Sequence, residues 1–212
     1  MRILFQGDSI TDADRNPLVK RFNEGLGLGN GYVSLASAEL LALDLNNEYE
    51  IYNRGVSGDK VFQLVDRWER DCIKLKPDVL SLLIGVNDFG HTLNHEYKGT
   101  LEVFDHDLRK LLRKTATRLP DTQLILGEPF VVKGGTRING DWFPDFLEYQ
   151  KVVKDIASEL NVPFIAYQDV FNHALEKAPA SHWCPDGIHP SLAGSFLMKE
   201  AWLTAFKSLI HS

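Results

Sequence analysis

The sequence has few cysteines and no long hydrophobic run. Its two cysteines, Cys72 and Cys184, are far apart in a chain of 212 residues and form no C-x-x-C motif. Such spacing indicates neither a disulfide framework nor a redox motif. Every apolar run is shorter than the roughly 20 residues that a membrane-spanning helix needs, so the sequence predicts no membrane span.

Basic residues are the minority among the charged ones. The chain has 23 Lys and Arg against 29 Asp and Glu, a formal net charge of −6, and no basic cluster lies beside an aromatic platform. A nucleic-acid partner is therefore not expected, because phosphate binding depends on concentrated positive charge. A strand pattern begins directly after Met1 and Arg2 where a signal peptide would need a charged and then an apolar stretch, which favours a cytoplasmic location.

Short apolar runs alternate with helical patterns along the whole chain. Strands that alternate with helices favour a parallel sheet covered on both faces. No linker or repeat interrupts the pattern, so residues 1–212 are expected to form a single domain, a three-layer α/β/α sandwich. The apolar runs are Ile3 to Phe5, Ile51 to Tyr52, Val79 to Ile84, Leu124 to Leu126 and Val162 to Ala166.

A final helix is predicted to begin near Ser191, a good N-cap residue. Its spacing indicates an inward stripe of apolar residues and leaves Lys199 and Lys207 for solvent. The predicted stripe consists of Leu197, Ala201, Ala205 and Leu209.

Ser9 lies where a first strand must turn sharply, in the block from Gly7 to Asp12 that follows the run from Ile3 to Phe5. A serine hydroxyl is too weak a nucleophile to act alone, so a catalytic role requires a base, an orienting acid and oxyanion donors elsewhere. Taken alone, Ser9 could simply cap a helix. Its neighbour Asp8 is expected to brace the turn by hydrogen bonding.

A base and an acid are present in one loop near the other end of the chain. Asp186 precedes His189 by three residues, in a stretch too rich in Pro and Gly for a helix interior. Such a loop can present both side chains, with the carboxylate fixing the imidazole tautomer while the other ring nitrogen faces Ser9. The predicted catalytic triad is therefore Ser9, Asp186 and His189.

Oxyanion donors are available in two further loops, each directly after a strand-like run. The first contains Gly58 and the second contains Asn87. The backbone N–H groups of Ser9 and Gly58 and the side-chain amide of Asn87 could together hold an oxyanion. Gly58 and Asn87 could also serve turn geometry, a role that is compatible with catalysis.

Other patterns point to no metal and no cofactor. His91 and His95 have the i, i+4 spacing of a metal pair, but no glutamate stands between them as in the helical zinc-protease motif. The glycine series from Gly25 to Gly31 lacks the dinucleotide-binding register and is expected to shape a pocket beside Ser9. His182 fits either the pocket or the surface.

These blocks occur in the order found in the SGNH hydrolases, also called GDSL esterases/lipases, which the chain resembles over nearly its whole length. The resemblance implies a flavodoxin-like order of five parallel strands and a serine esterase that needs no cofactor. It rests on the blocks Gly7 to Ile10, Gly55 to Gly58, Gly85 to Asp88 and Asp186 to His189.

Within that family the chain is similar to acetyl xylan esterase-like members, through the run from Gly27 to Val33 and through Trp68 and Glu69. This implies a small-molecule ester substrate, an acetylated oligosaccharide in particular, and would allow a homo-oligomer. A lysophospholipase or thioesterase with a longer acyl pocket fits the four blocks as well. The alternative outside the enzymes is a flavodoxin-like phosphate- or nucleotide-binding module.

An aromatic cluster in the second half of the chain has two interpretations, and the sequence favours neither. Trp142, Phe143 and Phe146 could form a wall for a sugar ring, or they could simply pack in the core.

Overall fold

A five-stranded parallel sheet forms the centre of the protein in a computed structural model that describes residues 1–210. Its strand order is β2-β1-β3-β4-β5, so β1 pairs with β2 on one side and β3 on the other. The expected five parallel strands and flavodoxin-like order are confirmed. The strands are β1 Arg2–Gly7, β2 Glu50–Asn53, β3 Val79–Leu83, β4 Gln123–Gly127 and β5 Phe164–Ile165.

Ten α-helices connect and cover these strands within the described residues. They are α1 Ser9–Asp12, α2 Gly25–Leu28, α3 Tyr32–Leu43, α4 Val61–Trp68, α5 Val86–Leu93, α6 Leu101–Arg118, α7 Phe146–Leu160, α8 Tyr167–Leu175, α9 Ala180–Trp183 and α10 Leu192–Ile210. A π-helical segment, Glu69–Ile73, continues α4, and a 3-10 turn spans Gly140–Trp142. Over residues 1–210, no helix has the length and apolar character needed to cross a membrane.

Neighbouring residues of β1 show how the two faces of the sheet are covered. The ring of Phe5 packs against Trp202 of α10, with ring centroids 4.7 Å apart, and against Tyr32 of α3. The next side chain, Gln6, points to the other face and donates to the backbone oxygen of Asp71, 2.9 Å away. Because side chains alternate along a strand, α3 and α10 lie on one face and the α4 segment on the other. The predicted three-layer sandwich is confirmed.

Trp68, which with Glu69 suggested the acetyl xylan esterase-like group, ends α4, and Glu69 begins the π-helical segment. Trp68 is fully buried and donates its indole N–H to the Thr115 hydroxyl at 2.9 Å, which ties α4 to α6. Glu69 forms an ion pair with Arg118 at the surface, with an N–O distance of 3.3 Å. Both residues therefore support helix packing in this chain.

The predicted inward stripe of the last helix is wrong in its details. The fully buried residues of α10 are Met198, Trp202 and Phe206, and the residues of the predicted stripe are only half-buried. Lys199 is also buried rather than solvated, because it pairs with Glu39 of α3 at 2.7 Å. A helix covered by both a sheet and a second helix is apolar around most of its circumference, so a single stripe does not define its inner face.

The end of β1 lies very close to β3. A Cβ atom added at Gly7 would stand 2.2 Å from the backbone oxygen of Leu83 and 2.6 Å from the Thr11 hydroxyl oxygen. Only glycine fits here without moving a neighbouring backbone, so the turn into Ser9 depends on the absence of a side chain at position 7.

We therefore expect Gly7→Ala to lower the Tm by about 5 °C or more, since overpacking against backbone costs about 1–3 kcal/mol. Gly25→Ala is the matched control, because a Cβ at Gly25 meets no atom within 4 Å. Its Tm should stay within about 2 °C of the parent. Differential scanning calorimetry measures both, and equal Tm values for the two variants would contradict the steric argument.

Candidate active site

Ser9 occupies the first position of a one-turn helix directly after β1. The cap of this helix is Asp8, whose Oδ1 accepts a hydrogen bond from the N–H of Ile10 at 3.0 Å. Asp8 thus braces the turn, as expected from the sequence, and Ser9 is not the capping residue. The Ser9 hydroxyl is left free for another partner.

That partner is His189, which lies 180 residues further along the chain. The Ser9 Oγ is 2.8 Å from His189 Nε2, and His189 Nδ1 is 2.7 Å from Asp186 Oδ2. The second carboxylate oxygen of Asp186 accepts the backbone N–H groups of Ile188 and His189 at 2.9 and 2.7 Å. The structure therefore brings the three predicted triad residues into one series of hydrogen bonds.

The electrostatic state of Asp186 suits a group that orients a histidine. Burial acts to raise the pKa of Asp186, but the hydrogen bonds from the His189 backbone and ring and from the Ile188 N–H outweigh it. The pKa therefore lies below the ordinary value of an aspartate, and the carboxylate is ionised at neutral pH. An ionised Asp186 accepts from Nδ1–H and leaves Nε2 unprotonated toward Ser9.

A second loop holds the Asp186 segment in place through its backbone. The N–H of Val132 donates to the Gly187 oxygen at 2.8 Å, that of Thr136 to Pro185 at 3.1 Å, and that of Arg137 to Asp186 at 2.9 Å. This support could not be predicted from the sequence, because backbone hydrogen bonds between two irregular loops require no particular side chains.

The predicted oxyanion donors follow β1, β2 and β3: Ser9 begins α1, Gly58 lies in the loop after β2, and Asn87 lies in the first turn of α5. Gly58 has a φ of +83°, a conformation that favours glycine, and within residues 1–210 its N–H and that of Ser9 donate to no other group. One N–H of the Asn87 amide donates to the Asp59 oxygen at 3.1 Å, which leaves its second N–H available. The N–H groups of Ser9 and Gly58 and one amide N–H of Asn87 therefore have no acceptor within residues 1–210 and are available to an oxyanion.

Arg67 of α4 connects the end of β1 with the loop between β2 and α4. Its guanidinium bonds to Asp59 Oδ2 at 2.7 Å, to the Arg54 oxygen at 2.7 Å and to the Gly7 oxygen at 3.3 Å. The side chain is only 9% exposed, so these contacts are shielded from solvent. Sequence reasoning missed Arg67, because its place on a helix face resembles that of any surface arginine.

Two cavities open beside the Ser9–His189 pair, and His189 lines both. The larger one, about 540 Å³ in volume, is here called the polar cavity. The smaller one, about 400 Å³, includes Gly31 of the glycine series, which agrees with the expected role of that loop. Residues of the polar cavity include Asn87, His91, Asn94, Glu96, Arg137, Asn139, Asp141 and Trp142.

Of the three aromatic residues that could either form a wall for a sugar or pack in the core, only Trp142 lines one of these two cavities. Trp142 contributes to the polar cavity although it is only 5% exposed, whereas Phe146 is fully buried and packs against the Phe89 ring. Phe143 lies beneath the Lys133 ammonium, 4.6 Å from its ring centroid. His182 is exposed and packs against the neighbouring indole of Trp183, outside both cavities.

Two carboxyl groups are buried under the site. Burial raises the pKa of Asp8 to about 7 and that of Asp88 to about 7. In each, one oxygen accepts a backbone N–H while the other, Oδ2, is buried and has no hydrogen-bond partner within residues 1–210. Both groups therefore keep their proton to a higher pH in the folded state than an aspartate in water would.

A serine, a histidine and an aspartate joined in series at the carboxyl ends of parallel strands are typical of the serine hydrolases. The chain belongs to the GDSL-like lipase/acylhydrolase family, whose model matches residues 5–195. It is accordingly a carboxylic ester hydrolase.

Relatives with assigned activities and solved structures agree with this placement. The acetylxylan esterase of Geobacillus stearothermophilus is 34% identical over an alignment of 211 positions, which covers 95% of this chain and 92% of that protein. A crystal structure of a Parabacteroides merdae protein described as a GDSL-like lipase has a TM-score of 0.95 at 46% identity and covers 97% of this chain and 95% of its own.

The crystal structure of Axe2, an acetylxylan esterase from Geobacillus stearothermophilus, has a TM-score of 0.84 at 32% identity and covers 96% of this chain and 93% of its own. Catalytic mutants of Axe2 have been crystallised as well. They replace by alanine a serine, an aspartate, and a histidine three positions after that aspartate.

The raised pKa of Asp88 predicts a specific pH dependence of stability. Between about pH 4 and 7 the unfolded chain loses the Asp88 proton while the folded state keeps it, so stability falls as the pH rises toward the folded pKa. Asp88→Asn cannot titrate, and its amide oxygen can still accept the Val61 N–H that Asp88 binds. The Tm of the variant minus that of the parent should therefore increase from pH 4 to pH 8.

Thermal unfolding of both proteins in one buffer series measures this difference, because groups that do not interact with Asp88 contribute equally to the two proteins. A difference that stays constant across the series would mean that Asp88 is ionised in the folded protein throughout.

Proposed function

We propose that this chain is a serine esterase that works through an acyl-enzyme and removes acetyl groups from carbohydrate. The observation that carries the proposal is the series of hydrogen bonds from Ser9 through His189 to Asp186. Further support comes from the relatives, since Axe2 has the same three residue types with the same spacing of three between aspartate and histidine.

In the proposed acylation step, Ser9 attacks the ester carbonyl while His189 takes the hydroxyl proton through Nε2. The 2.8 Å separation of Oγ and Nε2 is within reach for direct proton transfer. Asp186 orients the ring and stabilises the imidazolium that forms. His189 then returns the proton to the leaving alcohol, and the acyl group remains on Ser9.

The proposed deacylation step repeats the same proton transfers with water. His189 removes a proton from the water molecule that attacks the acyl-enzyme, and the acid product leaves as Ser9 regains its proton. The oxyanion of both tetrahedral intermediates would bind the N–H groups of Ser9 and Gly58 and the second N–H of Asn87. No cofactor has a part in this sequence of steps.

The chemistry of the polar cavity favours a hydroxylated alcohol over a long acyl chain. The guanidinium of Arg137 and the amide of Asn139 are exposed to solvent in the free protein. An alkyl chain in this cavity would remove water from these groups without offering hydrogen bonds in return, which costs free energy, whereas sugar hydroxyls can bind them. Asn87, Arg137 and Asn139 all contribute polar groups to this cavity. This supports an acetylated sugar over a lysophospholipid or a fatty acyl thioester.

A flavodoxin-like binding module fits these observations less well. Such a module would use the strand-end loops to hold a phosphate, and it has no need for an aspartate that orients a histidine toward a serine. Covalent labelling of Ser9 by an organophosphonate would distinguish the esterase from the module.

The proposed function is tested by a series of initial rates on acetate, butyrate and octanoate esters and on acetylated xylo-oligosaccharides. We expect the fastest release from acetate, a steep fall with acyl length and no turnover by the Ser9→Ala variant. A preference for octanoate would keep the triad but make the protein a lipid or thioester hydrolase. Equal rates for the parent and Ser9→Ala would overturn the esterase mechanism.

The proposed oxyanion role of Asn87 predicts a loss in kcat rather than in binding. Asn87→Ala should lower kcat by about 10²- to 10³-fold with little change in KM, because the lost donor acts mainly in the transition state. Asn87→Asp keeps the shape but lacks the N–H donors, so it should be at least equally impaired. Steady-state kinetics on an acetate ester measure both, and an unchanged kcat would remove Asn87 from this role.

A further inference from the structure

Lys60 and His91 form a polar pair beside the proposed oxyanion donors that the reaction steps above do not use. The Lys60 Nζ lies 3.0 Å from Nδ1 of His91 and 3.3 Å from the backbone oxygen of Gly58. Lys60 is only 9% exposed, and its ammonium group faces the rings of Phe62 and Tyr97, 5.9 and 5.5 Å from their centroids. The pair is therefore fixed by packing as well as by hydrogen bonds.

The chemistry of this pair determines the protonation of the His91 ring. An ammonium group has three N–H donors and no acceptor, so Nδ1 of His91 must be the acceptor in the bond to Lys60. Burial and the positive charge of Lys60 lower the pKa of His91 below its ordinary value, which favours the neutral ring at pH 7. A neutral imidazole with an unprotonated Nδ1 carries its proton on Nε2.

His91 thus presents an Nε2–H donor, because the contact of Lys60 with Nδ1 determines the tautomer of the ring. Its side chain lines the polar cavity together with Asn87 and His189, and within residues 1–210 no group bonds to its Nε2. The donor is consequently available to a bound molecule. An uncharged donor of this kind suits a hydroxyl or ether oxygen, and sugars carry such oxygens at almost every carbon.

We propose that His91 is a specificity-determining residue that donates a hydrogen bond from Nε2 to an oxygen of the carbohydrate portion of the substrate. Lys60 is the positioning residue that fixes the tautomer of His91. This inference rests on the proposed function and deepens it, because it assigns the polar cavity to the sugar rather than to the acyl group.

The kinetic test compares an acetylated xylo-oligosaccharide with 4-nitrophenyl acetate, which has no sugar. His91→Ala should lower the ratio of kcat/KM values, sugar ester over aryl ester, by about 3- to 10-fold, the effect of losing one neutral hydrogen bond. The loss should lie in KM for the sugar ester. An unchanged ratio would overturn the proposal, even if both rates fell together, because a general structural role would affect the two esters alike.

His95→Asn is the matched control, since His95 is an exposed histidine four positions further on and outside the polar cavity. Its backbone has a φ of +61°, which asparagine tolerates. This variant should keep the ratio of the parent. A fall equal to that of His91→Ala would show that the segment, not the His91 donor, sets the preference.

A second test is independent of turnover. In Ser9→Ala, nitrogen NMR of the imidazole rings should show His91 protonated at Nε2, and saturation with unacetylated xylotetraose should shift the His91 signals. In Lys60→Met the preference for this tautomer should weaken. A ring protonated at Nδ1, or signals unaffected by the sugar, would overturn the proposal. Loss of the proposed function would appear separately, as an absence of Ser9-dependent ester cleavage.

Discussion

The pairing of β1 between β2 and β3 is the constraint on which the site depends. Because all three strands are parallel, their carboxyl ends meet at one edge of the sheet, and the segments that follow them carry Ser9, Gly58 and Asn87. The close approach of Gly7 to Leu83 brings the turn into Ser9 against β3. A shift of β1 by one residue would exchange its two faces and remove Ser9 from this edge.

The Asp186–His189 loop reaches the same edge through helix packing. This loop leads directly into α10, whose Trp202 packs on Phe5 of β1 and donates to the Ser81 hydroxyl of β3 at 3.0 Å. The helix therefore fixes the loop relative to the two strands that precede Ser9 and Asn87. Packing of Trp202 on the sheet therefore acts together with the backbone hydrogen bonds from Val132, Thr136 and Arg137 to support a hydrogen bond between residues 180 positions apart.

Charged groups under the site act on its geometry more than on its chemistry. Arg67 binds the backbone oxygens of Gly7 and Arg54 and the Asp59 carboxylate, so it connects the serine turn with the Gly58 loop. Lys60 in turn binds the Gly58 oxygen and His91. Removal of either cation would leave buried acceptors unpaired, a cost that exceeds the gain from forming the contact. The loops are therefore held by fixed donors and need little reorganisation during the reaction.

The sequence by itself determined the alternation of strands and helices and singled out Ser9, Asp186 and His189 as one candidate site, because turn residues and strand-like runs are local signals. The order of the strands came only from the family resemblance, which rests on the order of the four blocks. The sequence did not determine the buried face of α10 or the contacts of Lys60, Arg67 and His91. Those depend on which elements pack together. Lys60 and His91 are 31 positions apart, and no sequence pattern indicates that their side chains meet. Local patterns decide where chemistry can occur, and tertiary packing decides which side chains meet the substrate.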